Sequence, residues 1–565
     1  MRSYRTVVRA LGSALFGILL FAANAQAQNI FGSIVGTVSD SSGAVLPGAT
    51  VTVTNTGTGE KREVAADGQG NYQVLSLPRG QYKIDIDSHG FKHFTQASVD
   101  VVVNQVTRLN VSMAVGEESQ QITVNDAPPI MQTDSASLGQ AVTGKAVQTL
   151  PLNGRNVLAL VALVPGVIPQ GASATNLSGQ NVFAAGNYQI GGGNANQGSV
   201  LVDGISVNTS YGNAVELVMD QDSVQEFNVQ THNNTAEFGA YTGGVINMST
   251  KSGTNTFHGD AYEYVRNTLL NANNFFANRT GAGRQAWHQN QFGGNGGGPI
   301  LKNKMFIFGA YQGYRQTNGQ PVIVTVPTAA QLTGDFSANS AIIYDPLTTC
   351  GYLGNPACTP QQTAGTAPSR TPFPGNIVPA GRMSTVAKNL IKYPLYGKPN
   401  ATGNATAWGA ANNFSKLSTA GGNNDQYTVR ADQTLSSKQT MFERYTHWNS
   451  MNIDPKPFEP DNNLYFRALA PEAFTTHQIA VGDTYVFSPT SVADIHIGYL
   501  RWNYTRIPTN LGLNESTAFG WPAYMNFGAL NNLPQSTSVP TITTSGPISY
   551  YHGLAGYIFS INNNY

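Results

Sequence analysis

The chain has 565 residues, and this length predicts about two to four structural units rather than one compact domain. Lysine plus arginine and aspartate plus glutamate both number 31, and this zero net charge argues against a nucleic-acid-binding protein, which would present a basic surface. Charged residues make up only 11%, whereas 60 glycines, 25 tyrosines and 25 phenylalanines favour β-rich structure with many tight turns.

Residues 1–27 have the pattern of a secretory signal peptide. Ala10–Ala23 is apolar and follows three basic residues, Arg2, Arg5 and Arg9. Ala25-Gln26-Ala27 supplies a small-x-small cleavage site, so we predict that the mature chain starts at Gln28. A membrane anchor is the alternative, but the apolar run is short and no stop-transfer pattern follows it. We expect an exported protein that can cross a membrane only with strands.

Residues 28–115 read as a small β-sandwich. Short alternating segments such as Ile34–Val38 and Val51–Thr54 are separated by turns rich in glycine, proline, aspartate and asparagine. Asp67 and Asn71 lie where a turn needs side chains that bond their own backbone. The order of these segments resembles the carboxypeptidase-regulatory-like domain, a transthyretin-like fold without catalytic residues of its own.

A related sandwich occurs in starch-binding modules, so glycan contact stays open as an alternative for this unit. We interpret its aromatic residues as core or edge packing instead: Tyr72, Tyr82 and Phe91.

Residues 136–254 carry the next group of motifs. An apolar run, Val157–Ile168, predicts a helix of about three turns that Pro165-Gly166 ends. Val200–Ser206 predicts a strand that turns at Asp203-Gly204, and Asp222–Val229 predicts another strand. We interpret Asp220 and Asp222 as parts of a solvated turn.

The segment Ser223–Gly259 is the most informative in the chain. A β-branched strand is followed by a small-residue turn, a strand led by two glycines, and Lys251-Ser-Gly-Thr-Asn255. This sequence resembles the end of the plug and the first barrel strand of TonB-dependent outer-membrane receptors. The resemblance is nearest to the Oar-like branch, whose members carry the extra N-terminal regulatory-like domain. It implies that residues 136–254 are a plug, with five motif residues: Asn153, Gly154, Arg155, Asp203 and Gly204.

The same resemblance gives a role to the linker at residues 116–135. Receptors of this family carry there a TonB box, a segment that pairs as an added strand with a periplasmic energy-coupling protein. The candidate TonB box is a short β-prone island: Gln121, Ile122, Thr123 and Val124. The alternative is that Ile122 and Val124 begin the plug sheet.

Residues 255–565 have the sequence pattern of barrel strands. We predict strands at Thr256–Arg266, Gln289–Pro299, Lys304–Arg315, Asn424–Leu435, Lys438–Trp448, Thr476–Phe487 and Ser491–Tyr504. In Asn424–Leu435, one face carries Tyr427, Val429 and Ala431 and the other carries Gln426, Thr428, Arg430 and Asp432. Ser491–Tyr504 alternates in the same way, which is the apolar-out, polar-in pattern of a membrane barrel. A soluble sandwich has the same period.

Strand arithmetic limits how complete this barrel is. A long excursion over roughly 316–422 reads as an extracellular loop, and the remaining residues provide about eight to twelve strands at about 9–11 residues each. Barrels of the family have more strands than this. We expect this chain to hold the N-terminal part of a truncated barrel, with closure of a smaller barrel as the alternative.

The remaining motifs favour no enzyme. Cys350 and Cys358 lie in a glycine- and proline-rich loop and predict a local disulfide, because a structural zinc site would need more ligands than they provide. No HExxH or G-x-S-x-G motif occurs. We therefore expect no catalytic residues, no nucleotide or metal cofactor, and at most a weak case for a periplasmic hydrolase.

Together these observations predict a mainly β protein: a transthyretin-like sandwich, an α+β plug and an antiparallel transmembrane β-barrel. The predicted function is uptake of an unidentified extracellular substrate, with glycan, siderophore and peptide all open. The expected partners are a TonB-type periplasmic energy-coupling protein and outer-membrane lipid, with no nucleic acid. The expected location is the outer membrane, with the N-terminal domain in the periplasm. The alternative is a surface-adhesion protein that recognises glycans or proteins through its sandwich and extracellular loops.

Overall fold

Strands dominate the part of the chain that the structure, a computed structural model, describes. That part comprises residues 31–116, 121–124, 138–169, 188–195, 197–209, 213–234, 238, 242–273, 275–279, 283–348, 370–392, 398–453, 472–488, 491–506, 517, 519–522 and 559–564. The predicted signal peptide and the predicted disulfide lie outside these residues. No helix within the described ranges is long and apolar enough to cross a membrane.

The N-terminal sandwich consists of two sheets that face each other across one apolar core. Its strands are β1 (Gly32–Asp40), β2 (Thr50–Asn55), β3 (Lys61–Ala65), β4 (Asn71–Leu77), β5 (Gly80–Asp87), β6 (His93–Val101), β7 (Val106–Arg108), β8 (Val111–Met113) and β9 (Gln121–Val124). One sheet has the order β4-β1-β7, with β8 also paired to β1, and the other has the order β3-β2-β5-β6-β9.

Alternation along these strands explains the core of the sandwich. In β2, Val51 and Val53 are buried while the threonines that alternate with them, Thr50, Thr52 and Thr54, are partly exposed. The predicted turn at Asp67 is confirmed, because its carboxylate accepts hydrogen bonds from the amides of Gln69 and Asn71, each at 2.8 Å. Tyr72 and Tyr82 are buried in this core and offer no aromatic platform to a glycan.

The central domain follows and is built on a five-stranded mixed sheet of order β10-β15-β16-β13-β14. Its strands are β10 (Leu138–Val142), β11 (Val167–Pro169), β12 (Tyr188–Ile190), β13 (Ser199–Val202), β14 (Ile205–Ser206), β15 (Val224–His232) and β16 (Val245–Thr250). Helix α1 (Gly144–Thr149) and 3-10 helices at Asn153–Arg155 and Val157–Leu163 pack beside the sheet.

The helix predicted in the apolar run Val157–Ile168 is present and buried and ends before Pro165, but it is shorter than three α-helical turns and of a different type. The segment forms a 3-10 helix that ends at Leu163, and Ile168 belongs to β11, which pairs with β12. Proline at 165 disfavours helical backbone at the residue before it, and Val164 is indeed extended, with φ −81° and ψ 128°. An apolar run alone does not distinguish a helix from a short buried strand.

The last unit is one large antiparallel sheet of order β17-β18-β19-β22-β23-β24-β25-β26. Its strands are β17 (His258–Asn267), β18 (Trp287–Leu301), β19 (Met305–Val324), β22 (Phe414–Ser436), β23 (Gln439–Ile453), β24 (Glu472–Ser488), β25 (Ser491–Arg506) and β26 (Phe559–Asn564). The connections contain a hairpin, β20 (Asn404–Thr406) and β21 (Gly409–Ala411), and the helices α2 (Phe275–Arg279), α3 (Ala329–Leu332) and α4 (Thr385–Lys392). Further 3-10 turns lie at Thr268–Leu270, Pro346–Thr348, Pro374–Asn376 and Ala380–Arg382.

All seven strands predicted for this region are present, and most extend several residues further than predicted. The predicted alternation is confirmed: Val429 is 46% exposed on the outer face, whereas Thr428 is fully buried on the inner face. Ile495 and Ile497 are exposed on the same outer face in β25. Within the described residues, no pairing joins β17 to β26.

The two ends of the large sheet differ in the length of their connections. Residues 302–304 and 437–438 form short turns at one end, where only two residues separate β24 from β25, and we call this the short-turn end. The strands joined by longer connections are linked at the other end. The sandwich touches the short-turn end, where the amide of Asn255 donates to the carbonyl of Gly57 at 3.0 Å and Asn255 also bonds Asn303.

Candidate functional site

The predicted turn at Asp203-Gly204 is present and presses against the inner face of the large sheet. Both residues have positive φ, 49° and 76°, which gives the two-residue hairpin between β13 and β14 that Asp-Gly sequences favour. Asp203 is completely buried. Its carboxylate accepts two hydrogen bonds from Thr250, from the amide at 2.9 Å and from the hydroxyl at 2.8 Å.

Two arginines from the large sheet complete this site. Arg444 of β23 donates Nε to Asp203 Oδ2 at 2.7 Å, and Arg430 of β22 donates Nη1 to Asp203 Oδ1 at 3.1 Å. Arg444 also bonds Thr446 and Gln478, and Arg430 pairs with Asp432. Burial acts to raise the pKa of Asp203, but the two guanidinium charges hold that pKa below its ordinary value. The carboxylate is therefore charged at neutral pH and ties the central domain to the sheet.

A second contact surrounds Arg155, and here the central domain supplies the cation rather than the carboxylate. Its guanidinium carbon lies 4.1 Å from the ring centre of Tyr262 and 5.4 Å from that of Tyr264, both on β17. Its Nη2 pairs with Asp222 at 2.8 Å. Gln291 of β18 donates to the carbonyl of Gly154 at 3.2 Å. The Asn153-Gly154-Arg155 motif therefore docks the central domain against the first two strands of the sheet, although the side chain of Asn153 is not described.

The interpretation of Asp220 and Asp222 as a solvated turn is wrong. Asp220 is buried and accepts hydrogen bonds from the amide and the hydroxyl of Ser223, and Asp222 is engaged by Arg155. Burial raises the pKa of Asp220 to about 6, and the charge of Asp222 adds to this rise. Burial also lowers the pKa of the nearby Lys251 ammonium group, against the charges of both aspartates. The turn-like sequence around Asp220 and Asp222 predicted that their carboxylates would be exposed, but tertiary packing buries them.

The candidate TonB box forms β9, which pairs in parallel with β6 of the sandwich. Gln121 lies opposite His93, and Val124 lies opposite Gln96 and packs against the sandwich core, whereas Thr123 is exposed. The alternative that this segment begins the plug sheet is wrong, because β10 is the first strand of that sheet. Nothing in the four residues themselves identified β6 as their partner.

Glu226 joins the sandwich to the central domain. Its buried carboxylate accepts Arg79 Nε at 2.7 Å and the amide of Val103 at 3.1 Å. Asn228, two residues further along β15, donates to the carbonyl of Val103 at 3.2 Å. Burial raises the pKa of Glu226, while the charge of Arg79 opposes this shift. An isolated acidic residue in an alternating strand gave no sequence signal of this role.

Comparison with known proteins defines the class to which these features belong. Residues 249–565, more than half of the chain, match the outer membrane beta barrel domain, and residues 33–114 match the carboxypeptidase regulatory-like domain. The TonB-dependent transporter Oar of Myxococcus xanthus is 29% identical over 322 residues, which are 54% of this chain and 28% of that protein. The chain thus spans about a quarter of the length of the curated relative that it matches.

Two solved structures match the chain over a limited part of their length. The siderophore receptor PirA from Acinetobacter baumannii has 14% identity and a TM-score of 0.35, over 75% of this chain and 43% of PirA. The outer membrane transporter YddB from Escherichia coli has 10% identity and a TM-score of 0.38, over 66% of this chain and 40% of YddB.

The protein is an outer-membrane protein of mainly β structure. An N-terminal carboxypeptidase-regulatory-like sandwich comes first in the chain, and a strand-rich membrane unit follows it in sequence. The chain belongs to the outer membrane beta barrel domain family, and its combination of domains is that of a TonB-dependent receptor of the Oar type.

Proposed function

We propose that this chain is part of a TonB-dependent outer-membrane transporter that takes up an unidentified substrate through a plugged β-barrel. The central domain is the plug, and the large sheet is part of the barrel wall. The observation that carries this proposal is the buried network in which Asp203 of the central domain meets Arg430 and Arg444 of the sheet. A charged contact buried between two domains can hold a closed state and still break as a unit.

The asymmetry of the sheet supports transport from the outside towards the periplasm. Membrane barrels of this kind have short turns on the periplasmic side and long loops outside. The sandwich touches the short-turn end through Gly57 and Asn255, so we place it in the periplasm, where an energy-coupling protein can reach β9. Substrate would bind at the opposite end, where the long connection between β19 and β22 lies. This placement disfavours the adhesion alternative for the sandwich.

The test is binding of the purified C-terminal domain of a TonB protein to the intact receptor in detergent. Replacing Ile122 and Val124 together with proline should abolish binding, because proline cannot donate a main-chain hydrogen bond to an added strand. Thr123→Ala is the matched control and should bind normally, because it leaves the main chain unchanged. Unimpaired binding by the double proline variant, with heat-modifiable migration showing an assembled barrel, would reject this TonB box.

A further inference from the structure

Strand β6 is in contact with a different partner at each end. Its first residues pair with β9, from His93 opposite Gln121 to Gln96 opposite Val124. Just beyond its last residue, Val103 exchanges two hydrogen bonds with Glu226 and Asn228 of β15. One short length of backbone therefore connects the candidate TonB box to the central domain, independently of the chain between Val124 and Leu138.

The contact at Val103 is built to resist displacement. The carboxylate of Glu226 is buried and also binds Arg79, which directly precedes β5, and Gly80 of β5 pairs with Val101. β15 lies inside the sheet of the central domain, between β10 and β16. A movement of Val103 consequently acts on an internal strand of that sheet rather than on its edge strand.

The other side of β9 is the edge of the sandwich sheet. Within the described residues, β9 pairs only with β6. The main-chain groups of a strand point alternately to its two sides, so pairing with β6 leaves the outer edge able to accept another strand. The outer face beside it is polar, with Thr123 exposed and His93 next to Asp85 at 3.3 Å. This edge fits an extended segment with polar side chains.

We propose that the energy-coupling protein adds its strand to the outer edge of β9 while β9 stays paired with β6. The sandwich then transmits the pull to the plug through β6, Val103 and Glu226. This inference depends on the proposed function and goes beyond it, because it assigns the regulatory-like domain a mechanical role. It also predicts that β9 need not leave the sandwich for the partner to bind.

A reversible lock between β6 and β9 tests the first step. Thr95 lies opposite Thr123, and neighbouring strands are about 4.8 Å apart, within the range that a disulfide spans. The intact receptor carrying Thr95→Cys and Thr123→Cys should bind the C-terminal domain of a TonB protein with the same Kd, within about twofold, when oxidised and when reduced. The Thr123→Cys single variant controls for the native cysteines and the oxidant.

Two other outcomes overturn the inference and differ from each other. Binding that weakens by about tenfold or more on oxidation, and recovers on reduction, would show that β9 must leave β6. Absence of binding in the reduced, oxidised and unsubstituted proteins alike would reject the proposed function together with this inference.

Pulling on the bound TonB domain with an atomic force cantilever tests the second step. Glu226→Ala should lower the force of the first plug-opening event while the Kd for the TonB domain stays unchanged. Asn228→Ala, a milder change at the same contact, should lower that force less. If both variants open at the force of the unsubstituted receptor, tension passes along the chain from Val124 to Leu138 and the sandwich path is refuted.

Discussion

Replacing Asp203 with asparagine should release the central domain from the large sheet. Asparagine has nearly the same shape and tolerates the left-handed backbone of φ 49°, so this variant removes the charge without adding strain. Arg444 would be left fully buried without a carboxylate, whereas Arg430 would keep Asp432. Leaving one member of a buried ion pair without its partner costs about 3–5 kcal/mol.

Hydrogen exchange of the intact protein, followed by mass spectrometry, measures this cost locally. The amide of Thr250 donates to Asp203, so exchange in β16 should become about a hundredfold to a few thousandfold faster. Asp432→Asn is the matched control: this residue is partly exposed, and its loss should cost about 1 kcal/mol or less. Adding Arg444→Met to Asp203→Asn should recover much of the protection, because it removes the orphaned cation. Exchange in β16 that is equally slow in Asp203→Asn and Asp432→Asn would refute this reasoning.

Three further variants test the other contacts. The folded state favours protonated Asp220, whose pKa is about 6 against an ordinary 3.8, so stability should fall by about 3 kcal/mol as pH rises through this interval and stay level above it. Asp220→Asn should flatten this dependence in melting curves, and an unchanged slope would contradict the assignment. Arg155→Lys should weaken the stacking on Tyr262 by about 1–2 kcal/mol and speed proteolysis of the central domain; equal rates of cleavage would count against it. Ile497 lies on the outer face, and Ile497→Arg should lower the free energy of unfolding by about 2–4 kcal/mol, measured by urea titration of folding into lipid vesicles. An unchanged free energy of unfolding would show that β25 does not face lipid.

Local sequence patterns predicted much of this structure, and long-range contacts account for most of what they missed. The two-residue period of β22 correctly assigned Val429 to the outer face, and Asp203-Gly204 correctly predicted a hairpin turn. The arginine partners of Asp203 lie more than 200 residues away in sequence, and alternation marked Arg430 only as inward-facing. The pairing of β9 was equally unpredictable, because a four-residue strand carries too little pattern to choose a neighbour. The apolar run that ends in β11 shows that composition alone does not choose between helix and strand.

The connection between β19 and β22 leaves and re-enters the large sheet at adjacent points, since Val324 lies directly opposite Phe414. The two ends of the segment 325–413 therefore lie side by side, and removal of this segment would leave two strand ends that are already as close as those of a hairpin. A two-residue Asn-Gly turn could join those ends without changing the register of either strand. The segment 325–413 could thus diverge, be exchanged between relatives or be replaced by design. The large sheet and its contacts with Asp203 and Arg155 of the central domain would keep their geometry.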